Sequence, residues 1–181
     1  MNAETGGWLS GARRVLSPNC DSRPAGTEIS LLVLHSISLP RGAYGGDAIE
    51  RLFTNSLDPA VHASFAELAG LRVSAHFLVR RDGALIQFVP LAQRAWHAGA
   101  SAWRGRERCN DYSIGIEIEG TDDSAFSAEQ YLALGGLTRN LQSRLALRDI
   151  AGHSDVAPGR KSDPGTRFDW PRLLAALARP D

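Results

Sequence analysis

Lysine is almost absent from this sequence. Of the 20 basic side chains, 19 are arginines and one is a lysine, Lys161, and 20 acidic side chains balance them. A chain without net positive charge lacks the attraction to phosphate that drives nucleic-acid binding, so we expect no nucleic acid among its partners. The isolated Lys161 favours a site that needs a compact ammonium rather than a guanidinium. The alternative is codon usage that leaves one lysine on the surface.

Long apolar runs are also missing. The longest, around residues 29–34, is interrupted by Ser30 and falls far short of the roughly 20 residues that span a membrane. The N-terminal segment MNAETGGWLSGARR lacks the apolar core of a signal peptide. These absences predict a cytoplasmic protein that neither crosses nor binds a membrane.

Cysteine is scarce as well. Cys20 and Cys109 do not form a CxxC pair, and we expect two free thiols in a reducing compartment. The length of 181 residues suits one domain, and no repeat or linker divides it. We expect a single domain over residues 1–181 with a catalytic core at about 28–178, and nothing in the sequence indicates more than a monomer.

Apolar spacing predicts alternating strands and helices. Strand patterns occupy 31–35, two arms of a hairpin in 74–91 that turns at Asp82-Gly83, 112–120 and 149–153. Helical patterns occupy 47–53, 62–71, a segment that opens with a capping box at Ser127 and Gln130, and 170–178. This order predicts a single-domain α/β fold with a central mixed β-sheet flanked by helices on both faces.

Other segments carry weaker signals. Residues 1–28 look irregular, and residues 92–112 look like an ordered loop. In the strand at 112–120, glutamates and glycine alternate with isoleucines, which is typical of a strand with one polar face. The Gly135-Gly136 pair weakens the long helix, and close packing against the sheet would explain it.

Histidines stand where two predicted strands end. His35 closes the strand at 31–35 and His153 closes the one at 149–153, while Asp163 follows ten residues after His153. Strand ends in α/β sheets present functional side chains. Two imidazoles and one carboxylate form a three-ligand zinc set, and the ion lowers the pKa of water at its fourth position to about 7.

Spacing alone leaves this ligand set open. Asp155 competes with Asp163 as the carboxylate, and His76 or His97 is an alternative to either imidazole. A histidine at a strand end is also often purely structural.

Glu117 is a candidate proton carrier. It lies on the polar face of the predicted strand at 112–120, two residues before Glu119. A carboxylate beside a metal site can take a proton from water and deliver it to a leaving amine. The alternative is a solvated strand face without a role. Lys161, two residues before Asp163, is placed to stabilise an oxyanion.

Five blocks follow one another along the sequence. In order, they are LLVLHSISLP, LRVSAHFLVRRDG, AWHAG, GRERCNDYSIGIEIEGTD and GHSDVAPGRKSDPG. Together they resemble a known family, the AmpD-type 1,6-anhydro-N-acetylmuramoyl-L-alanine amidases of peptidoglycan recycling. The match runs from Gly7-Trp8 to Phe168-Asp169-Trp170, nearly the whole chain. The parent superfamily includes phage amidase lysozymes and animal peptidoglycan recognition proteins.

The resemblance implies roles for particular residues. His35, His153 and Asp163 would bind Zn²⁺, Glu117 would activate water, and Lys161 would stabilise the developing oxyanion. The implied reaction is hydrolysis of the amide between 1,6-anhydro-N-acetylmuramic acid and L-alanine, on muropeptides with or without N-acetylglucosamine. A non-catalytic muropeptide sensor on the same fold is the rival hypothesis, and loss of a zinc ligand would favour it.

The resemblance also implies a substrate-binding surface. Arg72 and Arg108 would contact acidic groups of the peptide or sugar, and Trp96 would form an apolar wall for the anhydro-sugar. It places His76 in the interior of the sheet. The family usually has asparagine after the first zinc histidine, whereas this chain has Ser36, so any local hydrogen bond from that position is in doubt.

Overall fold

Six strands form one mixed β-sheet at the centre of the computed structural model, which describes residues 3–4 and 6–178. The described residues form twelve strands in all: β1 (Ala3–Glu4), β2 (Trp8–Leu9), β3 (Arg13–Arg14), β4 (Cys20–Ser22), β5 (Leu31–Ile37), β6 (Phe77–Val79), β7 (Leu85–Gln87), β8 (Gln93–Ala95), β9 (Ala102–Trp103), β10 (Arg106–Glu107), β11 (Ser113–Glu119) and β12 (Asp149–Gly152). The order in the central sheet is β12-β5-β11-β6-β7-β3. The β6–β7 hairpin is antiparallel and the other neighbouring pairs are parallel, which confirms the predicted mixed sheet.

Helices cover both faces of this sheet, as predicted. They are α1 (Ala48–Phe53), α2 (Ala128–Gln142), α3 (His153–Val156) and α4 (Trp170–Leu177), with 3₁₀ helices at Ala63–Leu68 and Cys109–Asp111. Side chains alternate along a strand, so Phe77 packs in the cluster that contains α2 and α4, while Leu78 packs with α1. None of the helices in the described ranges has the length and apolar character needed to traverse a bilayer.

Glu117 and Glu119 share one face of the strand predicted at 112–120, but the alternative that this face is solvated is wrong. All seven residues of β11 are buried. The strand lies between β5 and β6 in the middle of the sheet, and elements pack on both of its faces. Glu117 and Glu119 are therefore interior carboxylates, and a buried carboxylate needs a partner or a shifted pKa.

The long helix α2 begins as the sequence predicts. The Ser127 side chain accepts a hydrogen bond from the Gln130 amide, and the Gln130 side chain accepts one from the Ser127 amide. The expectation that the Gly135-Gly136 pair packs closely against the sheet is wrong. A Cβ at Gly135 would meet the Cβ of Ala176 in α4 at 2.8 Å, so the close approach is to a helix rather than to the sheet.

Short strands occur both in residues 1–28, which were expected to be irregular, and in residues 92–112, which were expected to form an ordered loop. Within residues 1–28, β4 pairs with β8 of the second segment, and β3 joins the edge of the central sheet. A side-chain pair reinforces the first contact, because Nε of Arg94 donates to Asp21 at 2.6 Å. Strands of two or three residues are too short to show a period of two, so no pattern revealed them.

Candidate metal centre

Parallel pairing of β5 with β11 places His35 beside Glu117. The two residues are direct partners in the register. Ile116 and Ile118 point into the cluster beneath α2, so Glu117 points to the opposite face. Leu32 and Leu34 likewise point towards α2, and His35 therefore lies on the same face as Glu117.

His153 reaches this face from the other neighbour of β5. Strand β12 pairs with β5 and ends at Gly152, and His153 is the first residue of α3. Asp163 returns to the same place on the following loop, where its carbonyl accepts a hydrogen bond from the Ser154 amide at 2.9 Å. A short helix and its return loop thus bring two residues that lie ten positions apart to one point.

Three side-chain atoms converge there. Nδ1 of His35 lies 2.9 Å from Nδ1 of His153, and each of these nitrogens lies 3.1 Å from Oδ2 of Asp163. Both imidazoles are buried and the carboxylate is partly exposed. Within the described part of the chain, this is the group of histidine, cysteine and acidic side chains that is arranged to hold a metal ion.

The chemistry of these donors fits a bound cation. The other ring nitrogen of His153, Nε2, lies 3.2 Å from the carbonyl oxygen of Ala98, so that nitrogen carries the proton and Nδ1 presents a lone pair. A lone pair at Nδ1 of His153 and the carboxylate of Asp163 repel each other unless a cation lies between them. Neutral imidazole and ionised carboxylate are also the forms that bind metals.

The surroundings hold these groups in their ligating forms. Burial lowers the pKa of His35 to about 4, although the hydrogen bond with Asp163 opposes that shift. Burial alone would raise the pKa of Asp163, but hydrogen bonds with His153 and His35 outweigh it and bring the pKa well below the ordinary range. Near neutral pH the site therefore offers an uncharged His35 and an ionised Asp163.

Glu117 is buried next to this centre without a partner for one oxygen. Its Oε2 has no hydrogen bond within the described residues. Burial raises the pKa of Glu117 well above its ordinary value, repulsion from Asp163 adds to the rise, and the charge of Lys161 opposes it. An interior carboxyl group with a raised pKa beside a metal centre is suited to take up and hold a proton.

Lys161 lines the cleft that leads to the centre. The cleft has a volume of about 300 Å³, and its walls include Ser36 and Asp163. The guanidinium of Arg41, in the same wall, is paired with Asp122 at 2.7 Å. Lys161 is exposed, and its charge lowers the pKa of both His35 and Glu117, although burial is the larger influence on each.

The alternative ligands lie elsewhere. Asp155 is exposed and accepts a hydrogen bond from the Gly152 amide at 2.7 Å, so it caps α3. His76 is fully buried, with its Nδ1 accepting from the Gly115 amide at 3.1 Å. His97 contacts His35, but on the ring nitrogen that faces away from the other two donors.

The three predicted substrate contacts do not line this cleft. Arg72 is exposed just after the first 3₁₀ helix, and Trp96 is partly buried near Asp21. Arg108 is exposed, lies 3.3 Å from Asp111, and lines a neighbouring cavity of about 580 Å³ together with Arg160. The structure therefore brings together the metal donors, Glu117 and Lys161, whereas these three residues are not among those that line the cleft.

Sequence reasoning missed the part that His97 plays. It entered only as an alternative ligand, whereas its Nδ1 lies 3.0 Å from Nε2 of His35, behind the predicted ligand. The AWHAG block, residues 95–99, contains it and was among the blocks that carried the resemblance. That block was the available signal, but no spacing rule connects residue 97 with residue 35.

Comparison with known proteins places this geometry in a family. The model of the N-acetylmuramoyl-L-alanine amidase family matches residues 25–166. A curated relative from Salmonella typhimurium, named 1,6-anhydro-N-acetylmuramyl-L-alanine amidase AmpD, is 56% identical over 174 residues, which cover 95% of this chain and 93% of the relative. The protein of that name from Escherichia coli is 53% identical over 96% of both chains.

Solved structures agree with the sequence comparison. The crystal structure of a selenomethionine derivative of AmpD superposes with a TM-score of 0.95 at 52% identity, over 98% of this chain and 99% of that one. The amidase AmiD from E. coli, solved with anhydro-N-acetylmuramic acid-L-Ala-D-gamma-Glu-L-Lys, gives a TM-score of 0.60 at 32% identity over 85% of this chain and 60% of that one. On the family match and on these identities, the chain belongs to the N-acetylmuramoyl-L-alanine amidase family.

Proposed function

We propose that this protein hydrolyses the amide bond between the lactyl group of 1,6-anhydro-N-acetylmuramic acid and the L-alanine of the stem peptide, with Zn²⁺ as cofactor. One observation carries the proposal. The donor atoms of His35, His153 and Asp163 converge within about 3 Å of one another, beside the interior carboxyl group of Glu117.

The relatives support this choice of substrate. The AmpD proteins from two enteric bacteria are named for this bond, and they align with the chain over nearly its whole length. AmiD, which shares the fold, has been solved with an anhydromuropeptide. The chemistry of the site agrees with a hydrolase for an amide, but the residues alone do not specify the sugar.

Zn²⁺ is the ion that the ligands favour. Two imidazoles and one carboxylate are a ligand set of catalytic zinc sites, which keep a further position open. His35, His153 and Asp163 would hold it. When bound, Zn²⁺ lowers the pKa of water and polarises the carbonyl of the scissile amide.

Glu117 would carry the proton of the reaction. As a carboxylate it accepts a proton from the attacking water, and as a carboxylic acid it delivers that proton to the nitrogen of the leaving L-alanine. Its environment suits a proton carrier, because burial raises its proton affinity and its buried Oε2 has no hydrogen-bond partner among the described residues.

Lys161 would stabilise the oxyanion that forms on the attacked carbonyl. Its ammonium lines the cleft beside Asp163, whereas the neighbouring Arg41 is already paired with Asp122. A mobile point charge follows the movement of charge on an oxygen more readily than a planar guanidinium held by a carboxylate.

Residues outside the cleft would bind the outer parts of the substrate. We propose that Arg72 and Arg108 bind acidic groups of the peptide or sugar and that Trp96 packs against the anhydro-sugar, all three at partly or fully exposed positions. We further propose one amidase domain over residues 1–181, with its core at about 28–178, that acts as a monomer in the cytoplasm.

The test is turnover of a defined 1,6-anhydromuropeptide, followed by mass analysis of the products. We expect free peptide and anhydro-sugar from the metal-loaded chain, and loss of the reaction after removal of metal with a chelator. Glu117→Gln should lower kcat by about 10²- to 10⁴-fold with zinc still bound, whereas Glu67→Gln, the same change at an exposed position, should leave kcat unchanged. A chain that binds the muropeptide without metal and without turnover would be a sensor, and the proposal would be wrong.

A further inference from the structure

A dipeptide behind the metal donors contacts both of the candidate metal-binding histidines. Nε2 of His35 lies 3.0 Å from Nδ1 of His97. The carbonyl oxygen of the next residue, Ala98, accepts a hydrogen bond from Nε2 of His153 at 3.2 Å. Each imidazole therefore turns its Nε2 towards residues 97–98 and its Nδ1 towards Asp163.

The dipeptide is itself held from behind. Oδ1 of Asn110 accepts hydrogen bonds from the backbone amides of His97, at 3.2 Å, and Ala98, at 2.8 Å. The carbonyl of Ala98 also accepts a bond from Nη2 of Arg160 at 2.6 Å. These contacts fix the backbone at residues 97–98, and this backbone positions both acceptors, Nδ1 of His97 and the carbonyl oxygen of Ala98. The arrangement is therefore more specific than a chance packing of rings.

The His97 ring packs against Gly115 of the sheet, where the absence of a side chain leaves room for it. A Cβ built on Gly115 in β11 would lie 2.4 Å from Cγ of His97, closer than any side-chain contact tolerates. The ring thus occupies the place that a side chain on this strand would fill. Its Nε2 lies 3.1 Å from Oγ of Ser113, two residues earlier on the same strand.

The hydrogen-bond chain has one direction when a metal is bound. A metal on Nδ1 of His35 takes that lone pair, so the proton of the ring is on Nε2 and is donated to Nδ1 of His97. His97 then carries its own proton on Nε2 and donates it to Oγ of Ser113. Only this arrangement pairs every nitrogen of the two rings.

We propose that residues 97–98 form a positioning clamp, in which the His97 side chain and the Ala98 carbonyl together present Nδ1 of His35 and of His153 to the metal. His97 acts through His35 and does not ligate the metal. The inference rests on the proposed function, since it concerns how the zinc site of that function is held in place.

Two variants of similar shape separate the hydrogen bond from packing. Both asparagine and leucine branch at Cγ and both remove the ring, but Oδ1 of asparagine restores an acceptor near the position of Nδ1. We expect His97→Leu to lower Zn²⁺ affinity by about 10- to 100-fold and His97→Asn to recover most of that loss. His62→Leu, the same change at an exposed histidine, is the control and should bind Zn²⁺ like the wild type.

Competition with a chelator of known affinity, at fixed pH, measures these values without any substrate. If the wild type binds Zn²⁺ while the leucine and asparagine variants lose affinity equally, the clamp is wrong and the proposed function stands. If the wild type has no measurable affinity for Zn²⁺, both fail.

The wild-type chain gives a second readout that does not depend on variants folding. In the zinc-loaded, nitrogen-15-labelled chain, we expect His97 to be protonated on Nε2 and a scalar coupling between Nε2 of His35 and Nδ1 of His97. A proton on Nδ1 of His97 would reverse the hydrogen bond and overturn the inference.

Discussion

Replacement of Gly115 by alanine tests the link between the sheet and the metal centre. The new Cβ would lie 2.4 Å from Cγ, 2.6 Å from Cδ2 and 2.7 Å from Nδ1 of His97. The first of these atoms is near the base of the side chain, so a rotation of the ring does not relieve the clash. Either His97 leaves its position behind His35, or β11 moves away from it.

The two responses have different magnitudes. Overpacking of a buried position destabilises a protein by about 1–3 kcal/mol. Loss of the hydrogen bond behind a metal ligand lowers metal affinity by about 10- to 100-fold, which corresponds to about 1.4–2.7 kcal/mol of binding free energy. We therefore expect Gly115→Ala to lower both the free energy of unfolding and the affinity for Zn²⁺, although the atoms nearest to the new Cβ belong to His97 and not to a metal donor.

Urea unfolding of the metal-free chain and chelator competition of the loaded chain measure the two effects. Gly136→Ala is the matched control, because a Cβ there meets no atom within 4 Å and lies on a helix, where alanine stabilises by about 0.5–1 kcal/mol over glycine. Adding His97→Ala to Gly115→Ala should recover part of the lost stability, since it removes the clashing ring. Unfolding and zinc binding like those of the wild type in Gly115→Ala would refute the reasoning.

Three other predictions concern Lys161, Glu117 and Arg23. Lys161→Ala should lower kcat on an anhydromuropeptide by about 10²- to 10³-fold. The kcat of Lys161→Arg should also lie below that of the wild type, and full activity in this variant would contradict the role given to the ammonium. Because burial holds the pKa of Glu117 above its ordinary value of 4.5, the contribution of Glu117 to the stability of the metal-free chain should fall as pH rises from that value. Urea unfolding should therefore show the free energy of unfolding of the wild type falling relative to that of Glu117→Gln as pH rises. Arg23→Met should lower the free energy of unfolding by about 2–4 kcal/mol, because the Arg23 guanidinium donates to the buried carbonyls of Asp111, at 2.8 Å, and Ser113, at 2.9 Å; a loss below the error of urea unfolding would show that those carbonyls find other partners.

The sequence predicts the elements whose period is long enough to read. The helix that opens at Ser127 spans four turns and carries its own capping signal, and the structure places it as expected. The hairpin at Asp82-Gly83 is equally local. Short strands such as β4 and β8 depend on each other across more than 70 positions, and no local pattern encodes such a pairing.

The centre itself illustrates the same limit. Residue types and strand ends indicate His35 and His153 as candidates, but the choice between Asp155 and Asp163 depends on where a loop returns. In the structure Asp155 is used by the backbone of α3, which leaves Asp163 for the centre. The candidate set predicted through the resemblance and the set that converges in space are the same three residues, although spacing alone left the carboxylate open.

Glu117 and Glu119 show why the environment, and not the residue type, decides a role. They lie two residues apart on β11, on one face, and both are buried. Glu119 is fully engaged: it pairs with Arg80 at 2.8 Å and accepts backbone hydrogen bonds from Gly45, at 2.8 Å, and Arg81, at 3.1 Å.

An engaged carboxylate stabilises the fold, and the hydrogen bonds that its oxygens already accept limit its capacity to accept another from water. Glu117, with Oε2 unpaired beside the converging donors, retains that capacity at the expense of stability. Both glutamates directly follow an isoleucine in the sequence, so the alternation does not show which of them is free for chemistry. The pairing of Glu119 with Arg80, 39 positions away, is what makes one carboxylate structural and leaves the other for chemistry.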